Sequence, residues 1–209
     1  MGGHAPELDD LLLELAGPRV CFLPTAVGDA EWALVRFYER FGAQAEASHA
    51  LFHSWPRADL REHVLAQDVV YVNGGNTANM LAIWRVHGFD LVLREAWESG
   101  VVLAGWSAGM ICWFEAGVTD SFGPELAGMR DGLGFLPGSA CPHYDGEERR
   151  RPVYTQLVRD GFPAGVAADD GVALVYEGAE LRDVLTARVG ATAYRVTADG
   201  EEPLDARLL

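Results

Sequence analysis

The sequence has few basic residues and no long apolar run, and each shortage excludes a class of protein. Sixteen Lys and Arg stand against 31 Asp and Glu, which gives a formal charge of −15. A surface of this charge repels phosphate backbones and anionic lipid, so we expect no nucleic-acid partner and no membrane partner. The longest apolar runs, such as GVVLAG at 100–105, are far shorter than the roughly 20 residues that span a bilayer.

Cysteine is also scarce. Cys21, Cys112 and Cys141 are an odd number, are widely spaced and include no CxxC pair. This pattern fits neither a disulfide framework nor a zinc site, so we expect reduced and mostly buried thiols. The N-terminal segment has none of the basic residues that open a signal peptide, and the sequence therefore predicts a cytoplasmic protein.

Strand-like and helix-like segments alternate through the first half of the chain. Apolar strands are predicted at 19–26, 68–76 and 101–105 and a weaker strand at 44–52, with helices at 28–42, 56–67, 77–88 and 89–100. This alternation predicts an α/β fold in which helices flank both faces of a parallel sheet. Ligands of such sheets bind at the carboxyl ends of the strands, and two of the predicted strands end there in the glycine-rich loops NGGN and GWSAG.

The pattern changes after residue 135. We predict a strand at 135–143, a polar helix at 147–161, and then short strands that form hairpins at the edge of the same sheet. The chain has no internal repeat and no linker, and its length suits one domain over residues 1–209.

The pentapeptide GWSAG at 105–109 has the form of a nucleophile elbow, G-x-S-x-G. In that motif the serine stands at the apex of a turn between a strand and a helix, too tight for side chains on its neighbours. Ser107 follows a predicted strand and precedes a segment with helical character. It is therefore a candidate nucleophile, and the N–H of Ala108 is a candidate oxyanion donor.

A nucleophilic serine needs a general base, and histidine is the usual one. His143 ends a predicted strand in a Pro-containing loop at the same end of the sheet as Ser107, which makes it the best candidate. Histidines in helices or at the chain terminus are more often structural. The six histidines of the chain are His4, His49, His53, His63, His87 and His143.

Three acids could supply the carboxylate that orients the base, namely Asp120 and the pair Asp169–Asp170. Asp120 lies in GVTDSFG, and Asp170 follows Asp169 in AADDG. Local chemistry leaves all three open, since an Asp-Gly pair also suits a hairpin turn and Asp120 suits a helix cap. The order Ser–Asp–His is that of α/β-hydrolases, but those place their histidine late, and no histidine follows His143.

Four motifs in sequence order make the chain resemble the peptidase E (aspartyl dipeptidase) family of serine peptidases, in a short form and related to cyanophycinase. They are YVNGGNT at 71–77, GWSAG at 105–109, CPHYD at 141–145 and ADDG at 168–171. The resemblance implies a flavodoxin-like, three-layer fold similar to that of class I glutamine amidotransferases.

The resemblance also implies roles for individual residues. Ser107 would be the nucleophile, His143 the base and Asp170 the third member, with Asp120 as the alternative that older accounts of the family favour. Asp170 replaces a family glutamate, so this shorter acid must approach the histidine more closely. Gly75 and Ala108 would form the oxyanion hole.

Substrate recognition would fall to Asn76 and to an arginine of EERRRP. Arg149 matches the family position for reading an aspartyl side chain, and Arg150 and Arg151 follow it. The stretch between His143 and Arg149 is shorter than in the family, and no C-terminal extension follows Leu209. We therefore expect weak or no activity on N-terminal-aspartyl dipeptides.

Together these features predict a cytoplasmic serine hydrolase, a monomer or small homo-oligomer, that cleaves short peptides without a metal or an organic cofactor. One alternative is a hydrolase of another acyl substrate, such as an ester, an amide or an isoaspartyl peptide. The other is a non-catalytic binding domain on the same fold.

Overall fold

The computed structural model describes residues 5–209, so His4 lies outside the described residues. In this range the chain divides into two compact units. We call residues 12–110 the serine unit, because it holds Ser107. Residues 5–11 and 111–209 form the histidine unit, which holds His143 and Asp170. Compact units of this kind occur inside one domain as well as in two, so the single domain over 1–209 stays a prediction.

The serine unit contains a sheet of four parallel strands in the order β2-β1-β3-β4. The strands are β1 (Arg19–Leu23), β2 (Glu46–His49), β3 (Val69–Val72) and β4 (Val102–Gly105). Strand β3 is buried along its whole length. Parallel strands that are covered on both faces are continuously apolar in this way. The predicted α/β fold with a parallel sheet and helices is confirmed.

Helices alternate with these strands. They are α1 (Pro6–Ala16), a short 3-10 helix (Thr25–Val27), α2 (Glu31–Phe41), α3 (Leu60–Leu65), α4 (Thr77–Val86), α5 (Phe89–Glu98) and α6 (Ala108–Ile111). On one face of the sheet, Phe37 of α2 stacks on Phe22 of β1 with ring centroids 4.5 Å apart. Side chains alternate between the faces of a strand, and the neighbouring Cys21 is fully buried as well. Both faces of the sheet are therefore covered.

The segment after Ser107 differs from the prediction. Helix α6 has only four residues, and a strand begins at Phe114 where the sequence indicates continued helix. Short apolar runs do not distinguish a helix from a strand by periodicity alone, which explains the error.

The histidine unit contains two sheets. Six strands form a mixed sheet in the order β12-β11-β8-β7-β5-β6, and three form a separate sheet in the order β13-β10-β9. The strands are β5 (Phe114–Thr119), β6 (Ala127–Met129), β7 (Leu136–Cys141), β8 (Gly165–Ala168), β9 (Val172–Glu177), β10 (Glu180–Thr186), β11 (Ala193–Thr197), β12 (Gly200–Pro203) and β13 (Arg207–Leu208). Helix α7 (Arg150–Arg159) lies between β7 and β8 in sequence.

The hairpins form as predicted, but their expected place at the edge of the first parallel sheet is wrong. Strands β11 and β12 pair antiparallel at the edge of the six-stranded sheet, which is separate from the four-stranded sheet. Strand β7, which precedes His143, also belongs to the six-stranded sheet, whereas β4, which precedes Ser107, belongs to the four-stranded one. Strands β9 and β10 pair with each other in the three-stranded sheet. The turn at Asp169–Gly171, where Gly171 adopts a φ of 78°, redirects the chain between β8 and β9.

The three cysteines are free and buried, as predicted from their spacing. Burial raises the pKa of Cys21 and of Cys141 to about 12. In the part of the chain that the structure describes, no helix is both long and apolar enough to cross a membrane.

Candidate active site

Ser107 stands on a strained turn directly after a parallel strand. Strand β4 ends at Gly105, and α6 begins at Ala108. Between them, Ser107 adopts a φ of 55°, the left-handed region that non-glycine residues seldom occupy. Strain of this kind persists where the surrounding structure enforces it, and it concentrates at functional sites. A strand, a strained serine and a helix are the arrangement of a nucleophile elbow.

Both glycines of the pentapeptide are required by the close passage of β3. A Cβ on Gly105 would lie 2.5 Å from the carbonyl oxygen of Val72, and one on Gly109 would lie 2.4 Å from the same oxygen. Neither distance is compatible with a side chain, and the obstacle is backbone within a sheet. The sequence G-x-S-x-G therefore follows from sterics at this turn.

The loop after β3 approaches the serine from the neighbouring strand. A Cβ on Gly74 would lie 3.1 Å from the Cβ of Ser107 and 2.8 Å from Nε1 of Trp106. Gly75 has a φ of 138°, and a Cβ there would lie 2.4 Å from the carbonyl oxygen of Ala26. Glycine at position 74 lets this loop reach the elbow, and glycine at position 75 lets it pass the backbone of Ala26.

The two predicted oxyanion donors lie in the serine unit. Gly75 is exposed, and among residues 5–209 its N–H donates to no acceptor. Ala108 is the first residue of α6, and the N–H of a first helical residue has no partner inside its own helix. Asn76, predicted to bind substrate, caps α4, since its Oδ1 accepts from the N–H of Asn79 at 2.8 Å.

His143 and Asp170 lie together in the histidine unit. The Nδ1–H of His143 donates to Oδ1 of Asp170 at 2.7 Å, with side chains 16% and 19% exposed. His143 follows β7 and has a φ of 56°, and Asp170 follows β8. Beside Ser107, only His143 and Asp29 are non-glycine residues with positive φ in the described chain. The backbone strain thus coincides with two of the predicted catalytic residues.

Asp170 makes backbone contacts that no sequence pattern predicts. Its N–H donates to Oδ1 of Asp145 at 2.9 Å, and its carbonyl oxygen accepts from Nε of Arg188 at 3.1 Å. Arg188 and Asp145 also form an ion pair with each other. A Cβ on Gly146 would lie 2.1 Å from Oδ2 of Asp170, so the carboxylate packs directly on the Gly146 backbone.

The two other candidate carboxylates are used differently. Asp120 is exposed, and its carbonyl oxygen accepts from the N–H of Gly123 in a turn at 3.3 Å. Asp169 is buried and accepts the N–H of Thr192 at 3.0 Å. Burial raises the pKa of Asp169, although the Thr192 hydrogen bond opposes this. Of the three acids, Asp170 is the one in contact with His143.

The three arginines of EERRRP all pair with carboxylates of the chain itself. Arg149 is about half exposed and pairs with the exposed Glu125. Arg150 is buried, pairs with Glu147 and donates to the carbonyl oxygen of Val118 at 2.8 Å. Arg151 pairs with Glu201.

The remaining described histidines have local partners. His49 contacts the hydroxyl of Tyr38 at 2.8 Å, and His53 lies 3.3 Å from Asp29. His63, in α3, contacts the hydroxyl of Ser48 at 3.1 Å. His87 follows the last residue of α4, and its ring centroid lies 5.7 Å from that of Phe52.

Sequence reasoning missed Gly146, Asp145 and Arg188. Gly146 lies three residues after His143, and an unexplained glycine beside a candidate base could have signalled a close approach. Arg188 carried no signal, because it is remote in sequence from Asp170. In residues 5–209, no three His, Cys, Asp or Glu side chains cluster closely enough to hold a metal ion.

Comparison with known proteins identifies similar chains. The model of peptidase family S51 matches residues 2–184. The relative named "uncharacterized peptidase YgaJ", from Bacillus subtilis, is 49% identical over 205 residues, covering 93% of this chain and 88% of the relative. Peptidase E of Shewanella amazonensis is 30% identical over 135 residues, covering 59% of this chain and 57% of the relative.

Solved structures agree in fold. A Listeria monocytogenes EGD-e protein assigned to peptidase E matches with a TM-score of 0.63 and 20% identity, over 87% of this chain and 93% of the other. A peptidase from an acI-B1 Actinobacterium matches with a TM-score of 0.66 and 19% identity, over 96% and 88%. The resemblance predicted from the four sequence motifs is confirmed.

Proposed function

This chain belongs to peptidase family S51, and on that basis we propose that it is a serine peptidase that hydrolyses short peptides through a covalent acyl-enzyme. The observation that carries the proposal is the left-handed backbone of Ser107 between two sterically required glycines. A serine that merely fills a turn has no need of this strain, since glycine would occupy the position without cost.

Each catalytic group has one task. Oγ of Ser107 attacks the peptide carbonyl while Nε2 of His143 takes its proton, and the carbonyl oxygen becomes an oxyanion. The C–N bond then breaks as His143 returns the proton to the leaving amine. Water, activated by the same imidazole, hydrolyses the acyl-enzyme and restores Ser107.

Asp170 holds the imidazole in the tautomer that this cycle needs. With Nδ1–H bonded to a carboxylate, Nε2 is the basic nitrogen. The 2.7 Å contact of His143 with Asp170 supports this role. The N–H groups of Gly75 and Ala108 stabilise the oxyanion, and each such donor lowers the barrier by about 3–4 kcal/mol in enzymes where one has been removed.

The substrate is a short peptide whose first residue is not selected by its negative charge. Discrimination by orders of magnitude requires a buried and geometrically fixed partner. Arg149 is 53% exposed and already paired with Glu125, and exposed pairs of this kind contribute only about 0–1 kcal/mol. The state of Arg149 therefore supports weak or absent activity on Asp-X dipeptides.

A panel of Ala-Leu, Asp-Leu and a simple ester tests this proposal. We expect Ala-Leu to be cleaved, Asp-Leu to be cleaved poorly, and both activities to be lost in Ser107→Ala. Ser99→Ala, at an exposed serine of the same unit, is the matched control and should retain full activity. Efficient cleavage of Asp-Leu that depends on Arg149 would show that an aspartyl pocket exists. Turnover of the ester alone would indicate a different acyl substrate, and binding without any turnover would indicate a non-catalytic domain.

A further inference from the structure

The backbone of Asp170 is held on both sides by an ion pair that the catalytic chemistry does not use. Its N–H donates to Oδ1 of Asp145 at 2.9 Å, and its carbonyl oxygen accepts from Nε of Arg188 at 3.1 Å. Nη2 of Arg188 pairs with Oδ2 of Asp145. The two side chains and the Asp170 backbone therefore form a closed ring of hydrogen bonds.

The ring fixes the direction of the Asp170 side chain. Its two anchor points are the peptide groups before and after the Asp170 Cα, so rotation of either peptide would break a hydrogen bond. Arg188 is itself anchored, because its N–H donates at 3.1 Å to Oγ1 of Thr186, a buried residue. The N–H of Ala187 donates to the carbonyl oxygen of Gly171 at 3.0 Å.

Direction matters here because Asp170 lies in a turn. It sits between β8 and β9, where the chain passes from the six-stranded sheet to the three-stranded one. Neither sheet pairs this residue with a neighbouring strand. An aspartate reaches less far than a glutamate, so a small rotation of its backbone would break the contact with His143.

The exposure of the ion pair between Asp145 and Arg188 suits a role in positioning Asp170 better than a role in stabilising the fold. Arg188 is 50% exposed and Asp145 is 32% exposed, and exposed ion pairs add little to folding stability. Burial alone would raise the pKa of Asp145, but the hydrogen bonds from Arg188 and the Asp170 amide, with the Arg188 charge, hold it below its ordinary value. Asp145 therefore stays ionised, and the ring intact, at neutral pH.

We propose that Asp145 and Arg188 are positioning residues that hold Asp170 in contact with His143. Because their importance for catalysis rests on the proposed function, the test needs a second readout that is independent of turnover. The Nδ1–H proton of His143 supplies it, since its downfield NMR resonance reports the hydrogen bond to Asp170 directly.

The principal variant is Arg188→Gln, with Arg182→Gln as the matched control. Arg182 lies in β10, the strand that Arg188 follows, and it is similarly exposed. It pairs with Glu177 and Glu180 and does not contact Asp170. We expect Arg188→Gln to lower kcat by about tenfold to a hundredfold, the cost of a small misplacement of a catalytic group, with little change in KM. Its His143 resonance should move upfield or broaden, while the control keeps both properties of the wild type.

Two further variants separate positioning from folding. Asp145→Asn keeps an acceptor for the Asp170 N–H but loses the ion pair, and we expect an intermediate loss of kcat. In an Asp170→Asn background, Arg188→Gln should cause no further loss of kcat, because both changes act through the same carboxylate. Equal melting temperatures across the set would exclude unfolding as the cause.

The proposal is overturned if Arg188→Gln and Asp145→Asn leave kcat and the His143 resonance unchanged. It is also overturned if the Arg188 and Asp170 effects multiply. If the wild type proves inactive, the proposed function fails, but the resonance still decides whether the ion pair holds Asp170 against His143.

Discussion

The two units support their proposed catalytic residues by different physical means. In the serine unit, Ser107 is set by backbone sterics, because Gly105 and Gly109 pass within contact of the Val72 carbonyl. In the histidine unit, the pair of His143 and Asp170 is set by side-chain hydrogen bonds and an ion pair. The backbone contacts around Ser107 leave no room for added atoms. The hydrogen bonds around Asp170 come from residues distant in sequence, and substitutions can remove them one at a time. Substitutions in the two units should therefore fail in different ways.

The largest expected effect concerns Asp170, which lies in the histidine unit and contacts His143. Asp170→Asn removes the charge that stabilises the imidazolium and permits the wrong tautomer, and the same change in a characterised triad lowers kcat by about 10⁴-fold. We expect a loss of this order in steady-state hydrolysis of Ala-Leu, with little change in melting temperature. Asp120→Asn is the control, because Asp120 is exposed in a turn, and it should leave kcat within about twofold. The reverse ranking would assign the third catalytic role to Asp120.

Substitution of the glycines beside Ser107 should displace the backbone of the turn. Gly109→Ala places a methyl group 2.4 Å from the carbonyl oxygen of Val72, and we expect the turn to shift, with a loss of about 1–3 kcal/mol in unfolding free energy. Urea titration and dipeptide hydrolysis should both show the damage. Gly100→Ala is a useful control: Gly100 has open space around it but a φ of 92°. That variant should lose stability for conformational reasons and yet keep its activity per folded molecule. An active Gly109→Ala enzyme would mean that the elbow does not depend on these contacts.

Gly146→Ala should separate activity from stability. The added methyl group would meet Oδ2 of Asp170 at 2.1 Å, and the end of a side chain moves at little cost to the fold. We expect kcat to fall by about tenfold to a hundredfold through misplacement of the carboxylate, while thermal unfolding changes little. In an Asp170→Ala background the same substitution should have no further effect on kcat. A loss of activity that persists there would place the role of Gly146 elsewhere.

The smallest expected effect concerns the buried thiols, whose reaction rates report local opening of each unit. Cys21 lies in the serine unit, and Cys141 lies in the histidine unit. Burial raises the pKa of both to about 12, and only the thiolate reacts with disulfide reagents such as DTNB. At about pH 8, near the ordinary cysteine pKa, we expect no reaction in the folded protein and three thiols after denaturation. Rapid labelling of one cysteine in native protein would locate a unit that opens.

The sequence predicts the turn around Ser107 well. The G-x-S-x-G spacing encodes the close passage of two backbone segments, and that constraint leaves glycine at fixed positions beside Ser107. The parallel sheet follows likewise from continuous apolar strands such as β3. The sequence does not locate the end of the helix after Ser107, because the apolar residues at 111–114 suit a helix and a strand equally.

The hydrogen bonds around His143 and Asp170 are predicted only in part. The position of His143 after a predicted strand makes it the candidate base, whereas the choice of Asp170 over Asp120 comes only from the family resemblance. Arg188 was not identified, because a hydrogen bond to a carbonyl 18 residues away leaves no pattern in the sequence. The separate sheet of β9 and β10 was missed for a similar reason, since a hairpin has the same local pattern whichever sheet it joins.

The central claim is that Ser107 is a nucleophile activated by His143. The most direct measurement is to treat the protein with a fluorophosphonate, locate the adduct by mass spectrometry, and compare the labelling rate of the wild type with that of His143→Ala. We expect one adduct, on Ser107, and a rate that falls by at least about 10³-fold in His143→Ala, because an unassisted serine hydroxyl is a weak nucleophile. An adduct on another residue, or equal labelling rates in the two proteins, would contradict this account.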